Sequence, residues 1–154
     1  YGSDYKYHHI YQGYNTRLDE LQAAFLSAKL PALDRMNEDR RNTANKYLTQ
    51  IHNGALILPC VGEHVQPVWH IFAVRTKYRD SLAEYLLEHG IHTNIHYPTA
   101  MHNQTAYTDL KIGMGELPIC EAISATQLSL PMYYGMKEET DYVIEVINRW
   151  KEKE

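Results

Sequence analysis

The sequence lacks a cysteine framework. It contains only two cysteines, Cys60 and Cys120, and neither belongs to a paired Cys-x-x-Cys motif. Disulfide scaffolds and zinc ribbons both need several cysteines at short, regular spacings. These two classes of protein are therefore excluded. A chain so poor in cysteine is expected in a reducing cytoplasm.

Long apolar runs and an excess of basic residues are also missing. No stretch approaches the roughly 18 apolar residues needed to span a bilayer, and the first residues lack the charged and apolar regions of a signal peptide. The 15 basic and 19 acidic residues give a net charge of -4, with no basic stripe against which a phosphate backbone could lie. We expect neither a membrane span nor a nucleic-acid partner.

The composition is that of an ordinary globular domain. Hydrophobic residues make up 44% and charged residues 22% of the chain, and no low-complexity tract or internal repeat is visible. A length of 154 residues suits one domain with one hydrophobic core. Because the sequence opens on Tyr1 and a Gly/Ser/Asp turn, we interpret it as a fragment of a longer protein.

Two helices are predicted in the first third of the chain. Apolar residues recur at three- and four-residue steps over Leu18–Pro31, with Asn15 or Thr16 as the N-terminal cap. A mostly polar helix is predicted over about Leu33–Ile51, ended by a left-handed turn at Asn53–Gly54.

The rest of the chain contains short apolar runs and stretches of helical periodicity, without a regular strand–helix alternation. Bulky apolar runs predict strands, whereas three- and four-residue spacing predicts helices, one of them capped by Gly90. The predicted strands are 56–59, 68–74, 91–95 and 128–131, the helices are 78–89, 120–127 and 137–151, and 98–118 is a long loop of the kind found at binding sites. This order predicts an α+β fold with a small, mostly antiparallel sheet covered by helices.

The most specific motif lies before the first helix. Residues Gly13–Ala24 read GYNTRLDELQAA and fit the pattern G-x-N-x-R-x-x-E-x-Q-A-A. With this motif the chain resembles the DegT/DnrJ/EryC1/StrS aminotransferases. The resemblance continues in order through His70–Phe72, Gly90–Ile91, His96–Pro98 and Leu128–Pro131.

The resemblance implies a fold-type I, pyridoxal-phosphate-dependent homodimer with shared active sites. Such enzymes move an amino group, usually from glutamate, onto a nucleotide-linked keto-sugar. Residues 1–34 would form the segment and helix that connect from the large cofactor domain, and residues 35–154 would form the C-terminal small domain. The family's Schiff-base lysine lies upstream of the motif, as does the aspartate paired with the pyridine nitrogen. No catalytic residue is therefore expected here, and Lys29, Lys46 and Lys77 are interpreted as surface lysines.

The resemblance also assigns roles around the motif. Asn15 matches the asparagine that reaches across the dimer to the cofactor phosphate, a task that suits a neutral amide donor. A plain helix cap is the alternative. Arg17 is expected in an ion pair with Asp19 or Glu20 near the dimer interface, rather than on a ligand.

The long loop carries the candidate substrate contacts. His96 and Tyr97 match the family's His-Tyr-Pro element beside the sugar site, where an imidazole and a phenol can hydrogen-bond hexose hydroxyls. His102, Asn103 and Gln104, further along the same loop, share this prediction with less force. The alternative is a strand-end histidine and a half-buried tyrosine without a ligand.

Nine histidines raise the question of a metal site. His8 and His9 are adjacent and would point to opposite sides of an extended chain. The others are spread over a helix end, a strand and a loop without nearby cysteines or paired acids, so no metal is expected. The resemblance instead places Lys6, His8 and His9 on an inter-subunit segment that approaches the neighbouring active site.

Two other functions stay open at this point. One is a sugar dehydratase on the same scaffold, in which the upstream lysine is replaced. The deciding position is not in this sequence. The other is a non-catalytic interaction domain that keeps only the scaffold. Packing alone does not require Asn15, Arg17 and His96–Pro98 to occur together, which argues against the interaction domain.

Overall fold

Helices and short antiparallel strands follow one another along the chain. The computed structural model describes residues 2–152. The first residue of the predicted segment 1–34, Tyr1, and the last two of the predicted segment 35–154, Lys153 and Glu154, lie outside the described residues. The elements are β1 Ser3–Tyr5, β2 His8–His9, α1 Glu20–Lys29, α2 Leu33–Gln50, β3 Phe72–Arg75, α3 Arg79–Glu88, α4 Pro118–Thr126, β4 Gln127–Leu130 and α5 Glu138–Arg149. Short 3₁₀ turns occupy Leu30–Ala32, Met101–Asn103 and Thr105–Leu110. The predicted α+β class is confirmed.

The central ladder joins β3 and β4. The two strands are antiparallel, with Phe72 opposite Leu130 and Ala73 opposite Ser129. One single bridge extends the ladder on each side: Ile57 pairs with Arg75, and Asn94 pairs with Ser129. The predicted antiparallel arrangement is thus present, although most of it rests on two four-residue strands.

The other predicted strands are shorter than expected, for local reasons. Trp69 adopts φ +50°, so extended backbone begins only at β3 and not at residue 68. Pro59 has no N–H to donate, and pairing in 56–59 is limited to Ile57. The N–H of Ile95 donates to the side chain of Asn94 at 2.9 Å, which removes it from the ladder.

The core lies where the ladder meets the helices. Most of its buried side chains come from α2, β3, α3, β4 and α5, and the others from residues between these elements. Tyr47 of α2 is 0% exposed, its ring centroid lies 5.0 Å from that of Phe72, and its hydroxyl donates to the carbonyl of Pro131 at 3.1 Å. Burial raises the pKa of the Tyr47 hydroxyl, so it remains a donor at neutral pH. The predicted inward side of the last helix is confirmed, since Val143, Ile144 and Ile147 are buried.

Two of the predicted helix ends are wrong and one is confirmed. The cap of α1 is Asp19, whose carboxylate accepts the N–H of Gln22 at 2.7 Å, and not Asn15 or Thr16. An aspartate directly before the helix reaches that N–H more easily than residues three or four positions earlier. The third end is as expected: Gly90, at φ +72°, ends α3.

The predicted left-handed stop at Asn53–Gly54 is the second wrong end. The chain leaves α2 in an extended conformation at Ile51, and Gly54 has no positive φ. The amide of Asn53 instead donates to the carbonyls of Ile147 and Trp150, each at 2.8 Å, at the end of α5. Asn53 therefore caps α5 through its side chain and does not form the predicted local turn after α2.

Helix α1 has no buried residue. The large apolar side chains of this helix and of the residues that flank it are exposed and do not pack on the core. The exposed side chains are Leu18, Leu21, Phe25, Leu26, Leu30 and Leu33. Within residues 2–152, no helix has both the length and the apolar character required to cross a bilayer.

We expect Asn53→Ala to lower the free energy of unfolding by about 1–3 kcal/mol, because two carbonyls at the end of α5 lose their donor. Asn45→Ala, on the exposed side of α2, is the matched control. Urea unfolding of both variants measures the difference. Equal stability of the two variants would show that the cap on α5 contributes nothing.

Candidate functional site

Strand β4 holds the candidate site through its polar face. Its sequence alternates Gln127, Leu128, Ser129, Leu130, so the two polar residues point to the same side. The amide of Gln127 donates to the carbonyl of His96 and lies 3.5 Å from that of Tyr97. The backbone of Ser129 pairs with Asn94. These contacts fix the segment 94–97 on the edge of the ladder.

The imidazole of His96 is held in one tautomer. Asn94 uses its side-chain oxygen to accept the N–H of Ile95 at 2.9 Å, so its amide nitrogen faces His96. That nitrogen can only donate, and it lies 3.1 Å from Nε2 of His96. Nε2 therefore accepts, and Nδ1 carries the proton that it donates to Oγ of Ser129 at 2.9 Å.

The surroundings of His96 favour its uncharged form. Burial lowers the pKa of its imidazole, and the nearby Lys6 and His70 side chains lower it further. This agrees with the hydrogen bonds, which leave Nε2 without a proton. His96 is thus a fixed, uncharged side chain with both ring nitrogens engaged, and an incoming hydroxyl would have to share or replace the contact with Asn94.

A polar cavity of about 530 Å³ lies on one side of His96. Lys6, His70, His92 and His96 all line it, and none of its described lining residues is an aspartate or a glutamate. Such a set of donors suits an anionic group. No group of three or more His, Cys, Asp or Glu side chains within residues 2–152 could hold a metal ion.

His96 also lines an apolar cavity of about 600 Å³. Its walls come from the long loop and α4, and include Met101, Leu117, Ile119 and Ile123. Tyr97 stands at its edge with 54% of its surface exposed. Of the two residues predicted on a substrate wall, His96 therefore lines both cavities, and Tyr97 lines the apolar one.

The β1–β2 hairpin packs beside His96 in the same chain. The Tyr7 ring contacts the Tyr97 ring edge-on at 5.2 Å, and Lys6 lies over the Tyr7 ring at 4.8 Å. His8 turns away from the cavities and bonds to Asp4 at 2.6 Å, which holds the pKa of the Asp4 carboxyl below its usual value. The predicted interface residues thus differ in position, because Lys6 lines the polar cavity and His8 does not.

His102 belongs to the long loop, and its side chain is buried. Only 3% of its side chain is exposed, and Nε2 lies 2.9 Å from the carboxylate of Glu121. This hydrogen bond, followed by that from the N–H of Gly115, lowers the pKa of Glu121. Nδ1 is buried without a hydrogen bond to any described residue. Substrate contact by His102 stays a prediction, and the contact that the structure provides is with α4.

Gln104 joins the long loop to the hairpin. Its amide nitrogen donates to the carbonyl of Tyr7 at 2.9 Å, and its oxygen accepts the N–H of His9 at 3.0 Å. His9 is therefore tied to the loop through its backbone. Its predicted role at an interface stays a prediction.

Asn15 and Arg17 lie in the irregular segment before α1, and both are exposed. The alternative reading of Asn15 as the helix cap is wrong, because Asp19 fills that position. The phosphate contact of Asn15 and the interface role of Arg17 stay predictions.

Sequence reasoning assigned no role to the side chains that orient His96, namely Asn94, Gln127 and Ser129. One signal was available, since polar residues alternate with leucines in the last predicted strand. The partner of that polar face depends on a bridge to residue 94, which no local pattern reveals.

Comparison with known proteins identifies the family. Residues 1–148 match the DegT/DnrJ/EryC1/StrS aminotransferase family. Among curated relatives, the dTDP-3-amino-3,6-dideoxy-alpha-D-galactopyranose transaminase of Aneurinibacillus thermoaerophilus is 44% identical, over 97% of this chain and 41% of the relative. The chain thus spans about two-fifths of the length of that protein.

Solved structures agree with this result. The chain is similar to DesV of S. venezuelae in complex with a ketimine intermediate, with a TM-score of 0.83 and 38% identity over 97% of this chain and 41% of DesV. It is also similar to NtdA of Bacillus subtilis with bound PMP, with a TM-score of 0.71 and 26% identity over 95% of this chain and 36% of NtdA. The resemblance and fold class predicted from the sequence are confirmed, and this chain belongs to the DegT/DnrJ/EryC1/StrS aminotransferase family.

Proposed function

We propose that this chain is the C-terminal part of a homodimeric, pyridoxal-phosphate-dependent aminotransferase. The longer protein would take an amino group from a donor such as glutamate and deliver it to a nucleotide-linked keto-sugar. The observation that carries this proposal is that His96 lines both a basic polar cavity and an apolar one, with Tyr97 at the edge of the apolar cavity. A transaminase named for a dTDP-linked sugar is 44% identical to this chain, which supports the substrate class.

The polar cavity suits the charged part of such a substrate. A nucleotide sugar carries a diphosphate, and Lys6, His70 and His92 offer it cationic or neutral N–H donors without an opposing carboxylate. His96 would meet the sugar as a neutral, oriented side chain, and the exposed hydroxyl of Tyr97 would contact it from the loop. His102 would act on the same loop through its bond to Glu121.

The cofactor would be held mainly outside this chain. Pyridoxal phosphate supplies an electron sink at the carbon that exchanges the amino group. Asn15 fits a contact to its phosphate because its amide is exposed and is not needed as a helix cap. The lysines here fit a surface role: Lys46 pairs with Asp141 at 2.6 Å, and Lys77 lies over the ring of Tyr78. The lysine that binds the cofactor covalently would belong to the preceding large domain.

The uncovered face of α1 supports a further domain or subunit. Six large apolar side chains are exposed on α1 and on the residues that flank it, and such a surface is unfavourable in water unless another surface covers it. The large domain and the partner subunit of a homodimer would provide that surface. Arg17 is exposed directly before this helix, and we propose it, with His8 and His9, as part of the dimer interface.

We expect His96→Ala in the full-length protein to slow the half-reaction with the keto-sugar and to leave the amino-acid half-reaction nearly unchanged. The donor needs no hexose-binding wall, whereas loss of one hydrogen bond to a sugar hydroxyl costs about 0.5–1.5 kcal/mol, or roughly 2- to 10-fold. Single-turnover measurement of each half-reaction gives the comparison.

His52→Ala, at an exposed histidine after α2, is the control for the removal of an imidazole. Equal damage to both half-reactions in His96→Ala would assign this residue to the fold or to the cofactor. No damage to either would leave it as an ordinary strand-end histidine.

We expect Asn15→Ala to weaken retention of pyridoxal phosphate in the full-length protein. Removal of one hydrogen bond to a charged phosphate costs about 1–3 kcal/mol, which is roughly 5- to 150-fold in affinity. The melting temperature of the apoprotein should not change, because Asp19 caps α1. Cofactor titration and thermal melting are compared with Thr16→Ala. Unchanged affinity together with earlier melting would overturn the phosphate role.

A further inference from the structure

We propose that Gln104 is a positioning residue for the substrate site, because its buried amide fixes the β1–β2 hairpin so that Lys6 stays in the polar cavity beside His96. The inference rests on the proposed function, in which that cavity receives the anionic part of a nucleotide-linked sugar. Gln104 itself would touch neither substrate nor cofactor. It would act through the backbone of the hairpin.

The hairpin needs an external anchor. Its strands contain three and two residues, and their register is irregular between Ser3 and Tyr5. A two-stranded hairpin of this size is marginal by itself in water. Tyr7, next to Lys6 in the turn, also adopts φ +70°, which is costly for a residue with a side chain and persists only where surrounding contacts maintain it.

Gln104 provides this anchor from the core side of the long loop. The residue is 2% exposed, and its amide is engaged at both ends, one with the carbonyl of Tyr7 and the other with the N–H of His9. A buried amide that grips two backbone groups two residues apart fixes both the position and the direction of the chain between them. Apolar contact alone would not give this directional control.

The part of the hairpin that Gln104 holds contacts the proposed substrate wall. The ring of Tyr7 meets His96 at 6.0 Å and Tyr97 at 5.2 Å, both edge-on. Lys6 directly precedes Tyr7 and lines the polar cavity together with His96. A change in the backbone at Tyr7 would therefore displace the ammonium group of Lys6 from the cavity, while His96 would remain on Ser129.

A double-mutant cycle in the full-length protein tests this role, with thymidine diphosphate as the probe and calorimetry as the measurement of affinity. Lys6→Ala should weaken binding about 10-fold, as expected for loss of one charge-assisted contact. Gln104→Met, which is similar in shape but cannot hydrogen-bond, should weaken it about 5-fold. In the Lys6→Ala background, Gln104→Met should have almost no further effect, because the residue through which it acts is gone.

Two further readouts separate positioning from simple destabilisation. The amino-acid half-reaction should keep its rate in Gln104→Met, while the KM for the keto-sugar should rise. Gln12→Ala is the matched control, because Gln12, which follows the hairpin, also donates to the long loop but from an exposed position, at 3.4 Å from the carbonyl of Ala106. If Gln104→Met does not fold, the milder variant Gln104→Asn takes its place in the same cycle, with a smaller loss of affinity expected.

The outcomes distinguish failure of the positioning role from failure of the proposed function on which it rests. If Lys6→Ala weakens binding but the Gln104 variant has no effect, or has the same effect in both backgrounds, the positioning role is wrong and the proposed function stands. If Lys6→Ala leaves the affinity for thymidine diphosphate unchanged, the assignment of the polar cavity fails, and the positioning role fails with it.

Discussion

The pairing of Ser129 with Asn94 is the constraint on which the candidate site depends. Ser129 is buried in β4, faces Ala73 of β3 on one side and exchanges backbone hydrogen bonds of 2.7 and 3.2 Å with Asn94 on the other. Its hydroxyl also orients His96. One residue therefore belongs to the ladder of the core and to the wall of the site, so the geometry of His96 is as rigid as the core itself.

Local patterns in the sequence predict much of the fold. The helices and the α+β class follow from apolar spacing, and Gly90 ends α3 as a glycine with positive φ should. The wrong predictions concern ends that are decided by distant partners. Asn53 suggests a local turn, yet its amide caps α5, which lies far along the sequence. Single-residue bridges such as that of Ile57 are likewise set by tertiary contacts and leave no periodic signal.

In the candidate site, too, local sequence predicts some residues, whereas other contacts depend on distant partners. The motif around His96 and Tyr97 identifies them from sequence, and in the structure both line the apolar cavity while His96 also lines the polar one. Their supports are less visible, because a hydrogen bond from Gln127 to the carbonyl of His96 depends on the register of β4. The pairing of the buried His102 with Glu121 was also not predicted, because the sequence places His102 on the loop without showing its partner in α4. Residue types are thus readable from the motif, whereas burial depends on packing.

The central claim is that this chain supplies the wall that faces the sugar nucleotide. Amide hydrogen exchange of the full-length protein, with and without a dTDP-linked sugar, tests it most directly. Exchange should slow on binding in residues 92–97 and in the hairpin, which line or contact the polar cavity, and should not change in α2, which supplies the core. Slower exchange elsewhere in the protein, with no change in either of these segments, would contradict the account.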